Sequence, residues 1–576
     1  MSFKGKRSNM SNNFKNLPDA AKQMMNWSWI DIEPYYKELQ AYKLSANNVN
    51  NYLKDWTKIH DLVDEVYNRL YVAKDVNTMD KDAEERYQRF LNEIFPKVRE
   101  AEQKLKTKLL DSGLQPSGFD LPLRRMATEA KIFRSENLPL LVEQQKLGIE
   151  YNKIIGSQTV EWEGKELTIT QLKVEYQNPD RSRREYAFRK ISERQLADRQ
   201  ALNDLWQRFL KLRLKIAQNA GFSDYRSYRW QELLRFDYTP ENCQQFHKAI
   251  SETFVPAAVR IYEKRRKDLG IDVLKPWDLD VDPKNLPPLK PFVEVSELQT
   301  KTANILNKVS PKIGKYFQTM VKENLLDLAN RKNKAPGGYC TTFEASKRPF
   351  IFMNAVGMHQ DVMTLLHESG HACHSFEASN LPYFQQRQVG LEFAEVASMG
   401  MELLASSYLL KDQGGFYEAD DFHRARKKHL EDIIIFLPYM AVVDGFQHWV
   451  YENPNQAMEP DNCDRYWAKL WNQFMVGYDW QGLEDVMATG WQRKLHIYLE
   501  PFYYVEYGLA QLGACQIWAN ALQDQATAVA NYLSALALGG TKSLPELYQQ
   551  AGAKFRFDTN ALQMIVDLLE QKIEAV

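Results

Sequence analysis

The segment His367-Glu368-Ser369-Gly370-His371 combines residue types that together can hydrolyse an amide bond. On a helix, two histidines four positions apart point in nearly the same direction, because four residues make about one turn. Both imidazoles can then bind one Zn²⁺ ion, and the intervening Glu368 can take a proton from a water on the metal. The chain has 10 histidines in 576 residues, so only about 0.02 chance matches are expected. The motif therefore predicts metal-assisted hydrolysis.

A catalytic zinc usually has a third protein ligand, and three downstream residues are candidates. Glu377 lies six residues after His371, which is about 600° of helical rotation and places it on the wrong face. His374 shares the face of the two histidines but lies one turn too far along. It could support a ligand or contact substrate, or it could be a packing histidine.

Glu395 is the strongest candidate for the third ligand. It opens a helical pattern and is surrounded by apolar residues, namely Phe393, Ala394, Val396 and Ala397. A carboxylate buried in such surroundings is destabilising unless it is paired with a cation or a metal. Glu392, one turn earlier, could accept a hydrogen bond from a ligand histidine and fix its tautomer. The alternative is that both carboxylates are solvated.

The elements around this helix show mostly helical periodicity. Helical patterns cover about 29–157, 180–218 and 361 to the end. The stretch 275–292 with five prolines is predicted to be a loop, and another helical block follows it to about 329. Alternation around Gly164 predicts a small β-hairpin at 159–170. Two short strands, at 337–342 and 348–354, are predicted just before the zinc helix. They could accept a peptide substrate as an added strand or form a plain structural hairpin.

The length of the chain exceeds what one compact core supports, so several domains are expected. We predict a flexible leader at 1–18, an N-terminal helical domain at 19–200 that contains the hairpin, and a catalytic domain at 201–576. A net charge of −1 gives no general attraction to nucleic acid or to an anionic membrane.

Cysteine usage and apolar runs bear on the compartment. Five scattered cysteines form no CxxC pair, which indicates neither a disulfide framework nor a cysteine zinc site. The first 20 residues have no apolar run of the kind found in a signal peptide. The longest apolar stretch, 433–443, contains a proline and is too short to span a bilayer. A cytoplasmic protein that binds neither nucleic acid nor membrane is expected.

Several segments resemble one family of enzymes. HESGH, EFAEVAS at 392–398 and HIYLEPFYYVEYGLAQL at 496–512 are similar to the thimet-oligopeptidase and oligoendopeptidase F family of zinc metallopeptidases. GGYC at 337–340 and PFIFMN at 349–354 agree with it. The bacterial oligoendopeptidase F and Pz-peptidase branch is the nearest in length. The likeness is specific over 337–515 and weaker over 180–330.

The resemblance implies roles for individual residues. It implies one zinc ion per chain bound by His367, His371 and Glu395, with Glu368 as general base. It also implies three residues that face the scissile carbonyl, namely His496, Tyr504 and Tyr507. A phenol or imidazole that donates to the developing oxyanion lowers the barrier. Tyr503 is interpreted as an ordinary core residue.

The resemblance further implies a mostly α fold of the zincin type with a small β-sheet, in which two helical halves enclose a deep channel. The predicted function is therefore zinc-dependent cleavage of internal bonds in short, unstructured peptides. Three alternatives remain: a zinc exopeptidase that trims dipeptides, a non-catalytic peptide-binding protein, and a helical scaffold with a structural zinc. An intact base argues against pure binding, and the absence of a cysteine-rich motif argues against a structural zinc at this position.

Overall fold

The computed structural model describes residues 13–335 and 337–575. Most of the leader predicted at 1–18 lies outside these residues. Of its remainder, Asn13–Lys15 form a short 3₁₀ helix and Leu17 is buried in the N-terminal core. The domain division near residue 200 stays a prediction.

The N-terminal part is a set of helices whose apolar faces pack together. A π-helical stretch, Phe90–Ile94, joins the third of these helices to the fourth. The helices are α1 (Trp29–Ala41), α2 (Val49–Val76), α3 (Lys81–Arg89), α4 (Phe95–Asp111), α5 (Asp120–Ile132) and α6 (Leu138–Gly156).

A hairpin follows, as predicted. Strands β1 (Thr159–Trp162) and β2 (Lys165–Thr168) pair antiparallel. The turn between them places Glu163 and Gly164 at φ values of 50° and 76°, a left-handed conformation that glycine adopts without strain.

Eight helices of widely different length occupy the middle of the chain. They are α7 (Ile169–Leu172), α8 (Arg181–Ala197), α9 (Arg199–Asn219), α10 (Tyr225–Glu232), α11 (Pro240–Glu252), α12 (Phe254–Asp268), α13 (Val295–Val309) and α14 (Pro311–Lys322). The proline-rich loop predicted at 275–292 is confirmed, with one short 3₁₀ helix at Pro276–Asp278.

A three-stranded sheet precedes the zinc helix. Its strands are β3 (Leu326–Ala329), β4 (Tyr339–Phe343) and β5 (Arg348–Ala355), in the order β3-β5-β4. Strand β5 pairs parallel with β3 and antiparallel with β4, so β4 is an edge strand. The two strands predicted in this region are confirmed. The helical block predicted to about 329 ends at Lys322 instead, because Leu326–Ala329 pair with β5 as a third strand.

The remainder is helical, as predicted. The helices are α15 (His359–Ala378), α16 (Phe384–Arg387), α17 (Leu391–Ala405), α18 (Ala419–Glu452), α19 (Pro454–Ala457), α20 (Pro460–Phe474), α21 (Glu484–Ala488), α22 (Leu495–Leu499), α23 (Tyr504–Ala521), α24 (Gln525–Leu536), α25 (Leu544–Gln550) and α26 (Thr559–Glu574). The mostly α fold with small sheets is therefore confirmed.

Two large hydrophobic clusters organise the chain. The N-terminal core runs from Leu17 to Met126 and takes in Tyr383 and Phe384 from the region of α16. The main core contains nearly all buried apolar residues from Ile132 to Leu569. Within the main core, α17 packs against α15 and α23, and α23 packs against α18.

Helix α18 is the longest helix among the described residues. Within them it alone is long and apolar enough to cross a membrane by length and composition. However, 72% of its apolar window is buried inside the protein, as expected of a helix in a core, so this is weak evidence for a span.

Candidate active site

The start of α15 fixes the position of the HExxH motif. Asp361 in its first turn accepts hydrogen bonds from the backbone N–H groups of Val356, Gly357 and Met358, at 2.8, 2.9 and 2.9 Å. A carboxylate at a helix N-terminus satisfies free N–H groups and interacts favourably with the helix dipole. This cap anchors α15 directly after β5, against which the helix packs.

His367, His371 and Glu395 come together where α15 crosses α17. The Oε2 atom of Glu395 lies 3.4 Å from Nε2 of His367 and 3.8 Å from Nε2 of His371. One donor atom from each residue lies within 4.8 Å of the others. The side chain of Glu395 is 7% exposed and those of both histidines are 23% exposed. The solvated alternative for Glu395 is therefore wrong, and the donors meet at a point that solvent reaches.

Gly370, inside the motif, allows this crossing. A Cβ atom at this position would lie 2.4 Å from the carbonyl oxygen of Ala397 and 2.6 Å from Cα of Ser398. Both distances are far below van der Waals contact, so any side chain would push α17 away. Since α17 carries Glu395, the glycine sets the distance between the two histidines and the carboxylate.

We expect Gly370→Ala to destabilise the protein by about 1–3 kcal/mol, the usual effect of overpacking a core, and to lower its zinc content. Urea unfolding and metal analysis measure the two effects. Gly156→Ala is the matched control, because a Cβ atom there meets nothing within 4 Å. Unchanged stability and metal content in Gly370→Ala would contradict the close approach.

Glu402 is a site residue that sequence reasoning missed. Its Oε1 atom lies 2.7 Å from Nδ1 of His367, and its Oε2 atom lies 3.3 Å from Nε2 of His429 on α18. Burial would raise the pKa of Glu402, but the hydrogen bonds with His367 and His429 lower it to about 2. The ionised carboxylate holds a proton on Nδ1 of His367, so Nε2 is the nitrogen that can bind a metal. A signal existed in the sequence, since Glu402 lies two turns after Glu395 in an apolar run.

Glu392, predicted to orient a ligand histidine or to be solvated, does neither. It is buried and accepts a hydrogen bond from Tyr238 Oη at 2.7 Å, and it lies 3.8 Å from Nε of Arg235. The prediction is wrong because Glu392 precedes Glu395 by 300° of helical rotation and so points toward α10 and its C-terminal loop.

The two other candidates on α15 lie away from the donors. Glu377 accepts a hydrogen bond from Tyr316 Oη at 3.0 Å and pairs with Lys312. His374 is buried, its Nε2 atom has no hydrogen-bond partner among the described residues, and its ring packs edge-on against Phe393. The packing alternative for His374 is therefore the one that the structure favours.

Glu368 lies beside the histidines, next to strand β4. Burial raises the pKa of Glu368 to about 7, and this effect exceeds the lowering effect of His367. The backbone of Cys340 on β4 interacts with the same carboxylate. The base candidate therefore faces the edge strand along which an extended peptide could lie.

His496 and three tyrosines form a cluster that reaches Glu395. Ring centroids of His496 lie 5.8 Å from Tyr503, 5.0 Å from Tyr504 and 5.9 Å from Tyr507. Burial, then the charge of Lys494, lower the pKa of His496 to about 4, so the imidazole is neutral near pH 7. Burial and the charges of nearby carboxylates, including Glu395 and Glu368, raise the pKa of Tyr507, so the phenol keeps a proton to donate.

Tyr503 and Tyr504 occupy different surroundings from those predicted. Tyr503 donates a hydrogen bond from Oη to Oε1 of Glu395 at 3.0 Å, so its interpretation as an ordinary core residue is wrong. Tyr504 is buried, its ring contacts Phe436 and Tyr439, and the Lys494 ammonium lies 3.9 Å from its centroid. A role for Tyr504 at the scissile bond stays a prediction.

A strained turn positions these tyrosines. Phe502 has a φ of 65°, in the left-handed region that few non-glycine residues adopt. Its N–H donates to Oε1 of Gln447 at 2.7 Å, and its carbonyl accepts from Nη2 of Arg235 at 2.5 Å. Arg235 also pairs with Glu506 at 2.6 Å. Buried polar contacts therefore hold a conformation that orients Tyr503 and the start of α23.

The donor set fits zinc. Two imidazole nitrogens and one carboxylate oxygen, with room for water or substrate, is the composition of a catalytic zinc site. Ser398 Oγ donates a hydrogen bond to Oε2 of Glu395 at 2.9 Å and so orients this carboxylate. Glu402 orients the His367 imidazole in the same way. Burial lowers the pKa of His371 to about 4, which keeps its imidazole neutral and able to bind a metal.

The chain is similar to known peptidases. The sequence profile described as peptidase family M3 matches residues 174–566. The oligoendopeptidase F homolog of Borreliella burgdorferi is 22% identical over 537 residues, which cover 89% of this chain and 88% of that protein. The solved structure of Pz peptidase A with an inhibitor has a TM-score of 0.86 and 28% identity, with 100% of this chain and 99% of that chain covered. A putative oligoendopeptidase F has a TM-score of 0.87, 27% identity and the same coverage.

Proposed function

Because the chain belongs to peptidase family M3, and is therefore a metallopeptidase, we propose that it is a zinc-dependent oligoendopeptidase that cleaves internal bonds of short, unstructured peptides. The observation that carries the proposal is the convergence of donor atoms from His367, His371 and Glu395. Glu368 lies beside them, and the charges of Glu368 and Glu395 both raise the pKa of Tyr507. A peptide-binding protein would need no base at this position.

His367, His371 and Glu395 would hold one zinc ion at this site. When bound, zinc supplies a Lewis acid that acidifies water and polarises a carbonyl. Glu368 takes the proton of the attacking water and delivers it to the leaving amine. Its buried position favours this exchange, because a carboxylate with a pKa of about 7 can both accept and return a proton near neutral pH.

Tyr507 and His496 would donate hydrogen bonds to the carbonyl oxygen as negative charge develops on it. Both are protonated donors near neutral pH, the first as a phenol with a raised pKa and the second as a neutral imidazole. A donor contributes to the rate when its bond strengthens in the transition state. Tyr503, which holds Glu395, would act on the metal ligand.

We expect Tyr507→Phe to lower kcat by about 100- to 1,000-fold, the usual effect of losing one oxyanion donor, while zinc content is unchanged. Steady-state kinetics on a fluorogenic peptide measure the loss. Tyr466→Phe is the control, since its ring stacks on Trp449 away from the site. Tyr504→Phe tests the role predicted for that residue. Wild-type kcat in Tyr507→Phe would exclude it as a donor.

We expect Glu402→Gln to weaken zinc binding by about 10- to 100-fold, because a neutral amide no longer holds the His367 tautomer as strongly. Competition with a fluorescent zinc chelator measures the dissociation constant. Glu392→Gln is the control, since it removes a buried carboxylate from the same helix that contacts neither histidine. Equal zinc affinity in the two variants would show that Glu402 does not affect zinc binding by His367.

Short, unstructured substrates are proposed because the donor side chains are largely buried. All three metal-binding side chains are at most 23% exposed, and β4 offers an edge to an extended chain. A folded protein presents few extended segments. A channel between two helical halves and a cytoplasmic location remain part of the proposal.

Mass spectrometry tests the function. A pool of unstructured peptides and one folded protein are incubated with the purified enzyme, with and without a chelator. Internal cuts in the peptides that the chelator abolishes, with the folded protein intact, are expected. Removal of dipeptides from one end would identify the exopeptidase alternative. No cuts by zinc-loaded enzyme would favour peptide binding.

A further inference from the structure

A second group of metal-binding side chains lies on two other helices. Cys243 and His247 are four residues apart on α11, and Asp444 and His448 are four residues apart on α18. Each pair therefore lies on one face of its helix. The two helices pack on each other, so the pairs meet in the main core. Side chains on facing helices are a common way to build a metal site in a helical core.

The donor atoms are as close as those of the candidate active site. Ligand atoms of Cys243, Asp444 and His448 lie within 4.8 Å of one another, the same limit that His367, His371 and Glu395 meet. Oδ2 of Asp444 lies 2.8 Å from Nε2 of His247 and 3.3 Å from Nε2 of His448. These are the only two such groups that residues 13–335 and 337–575 contain.

Two of these buried atoms have no hydrogen-bond partner in the described part of the chain. They are Oδ1 of Asp444, whose side chain is 0% exposed, and Nε2 of His448, whose side chain is 4% exposed. Nε2 of His448 is near the carboxylate but is not aligned for a hydrogen bond. An unpaired buried polar atom is destabilising. A cation between the carboxylate and the imidazole would satisfy both.

We propose that Cys243, Asp444 and His448 bind a second Zn²⁺ ion in a structural site, and that His247, whose Nε2 atom lies 2.8 Å from Oδ2 of Asp444, orients that carboxylate. Thiolate sulfur, imidazole nitrogen and carboxylate oxygen are all zinc ligands. The three ligands are buried in the main core, as expected of a structural ion. Zinc binding replaces the proton of the Cys243 thiol, which leaves as H⁺. The site shares no residue with the candidate active site and stands independently of the proposed function.

One neighbour must adjust. Nη1 of Arg226 lies 3.3 Å from Nδ1 of His448 and also pairs with Glu452. When Nε2 binds zinc, Nδ1 carries the proton and cannot accept from Arg226. The guanidinium then keeps Glu452 as its partner. The rings of Trp230 and Phe502 contact His448, and the opposite charges of Arg235 and Glu392 also act on Cys243.

The second ion would stabilise the region that carries Tyr503 and Tyr507. Gln447, next to His448, accepts the N–H of Phe502 in the strained turn before Tyr503. A zinc ion that cross-links α11 to α18 would hold Gln447 in place. It would therefore support the active site without touching substrate.

Metal counting on the full-length protein tests the proposal. Inductively coupled plasma mass spectrometry is expected to find two zinc ions in the natural chain, one in Glu395→Ala and one in Cys243→Ser. The protein reloaded with Co²⁺ should show thiolate-to-cobalt absorption in the near ultraviolet, because the active site has no sulfur ligand. That absorption should persist in Glu395→Ala and disappear in Cys243→Ser. Cys515→Ser, a change at another buried cysteine, is the matched control.

One zinc ion in the natural chain and none in Glu395→Ala would overturn the second site. So would a cobalt-loaded natural chain, shown to bind two ions, that lacks the thiolate absorption. These two measurements decide the question even if Cys243→Ser fails to fold. Failure of the peptidase assay alone would leave the metal count unchanged, so the two proposals fail separately.

Discussion

Glu368→Gln is expected to retain its zinc and to lose about 100- to 10,000-fold in kcat, the range attributed to a general base. Glutamine has the shape of glutamate, and Glu368 is not among the three residues whose donor atoms converge. The amide cannot take a proton from water at neutral pH, so the attack on the carbonyl slows. Metal analysis and steady-state kinetics on one internally cleaved peptide measure the two effects separately.

Glu377→Gln is the matched control for that variant. Both glutamates are buried on α15, but Glu377 pairs with Lys312 and Tyr316 and not with the site. It is expected to keep its kcat, with some loss of stability. Wild-type turnover in Glu368→Gln would refute the assignment of the base. Loss of zinc in Glu368→Gln would show instead that this residue supports the metal.

Glu395→Ala is expected to lose the zinc ion of the active site, and with it nearly all turnover. The two remaining histidines would bind zinc far more weakly than three ligands do. Alanine would also remove the acceptor of Tyr503 Oη and Ser398 Oγ, so the site would lose its internal hydrogen bonds. Zinc titration by isothermal calorimetry, on protein stripped by a chelator, measures the loss of this site.

Glu392→Ala controls for removal of a buried carboxylate from α17. Its carboxylate contacts Tyr238 and Arg235, so this variant is expected to lose stability and to keep the active-site zinc in its folded fraction. Full zinc affinity in Glu395→Ala would point to a different third ligand. Equal loss in both variants would indicate that α17 had been displaced as a whole.

Local patterns in the sequence predicted much of the site. The spacing of His367 and His371 depends on one helix alone, so it can be interpreted without knowing which segments pack against that helix. The apolar neighbours of Glu395 in the sequence predicted a buried carboxylate that needs a cation or a metal as its partner. The hairpin at 159–170 and the strands before α15 followed from alternation and turn residues, and the structure confirms them.

Contacts between side chains from distant segments were harder to predict from the sequence. Glu392 and Glu402 lie on the same helix as Glu395, and both could have been chosen to orient a histidine. The rotation of α17 against α15 decides between them, and that rotation depends on the contact at Gly370. Similarly, Tyr503 and Tyr504 are adjacent, and the strained turn at Phe502 decides which of them reaches Glu395.

The sequence by itself therefore predicted the metal-binding motif, the candidate base and the helical class, because each depends on residue types at fixed spacing within one element. Only the tertiary structure decided which carboxylate holds His367, which tyrosine holds Glu395, and that Cys243 and His247 meet Asp444 and His448. Those pairings join residues as far as about 200 positions apart (197 for His247 and Asp444). Their distance depends on how helices cross, which is a property of packing and not of any single segment.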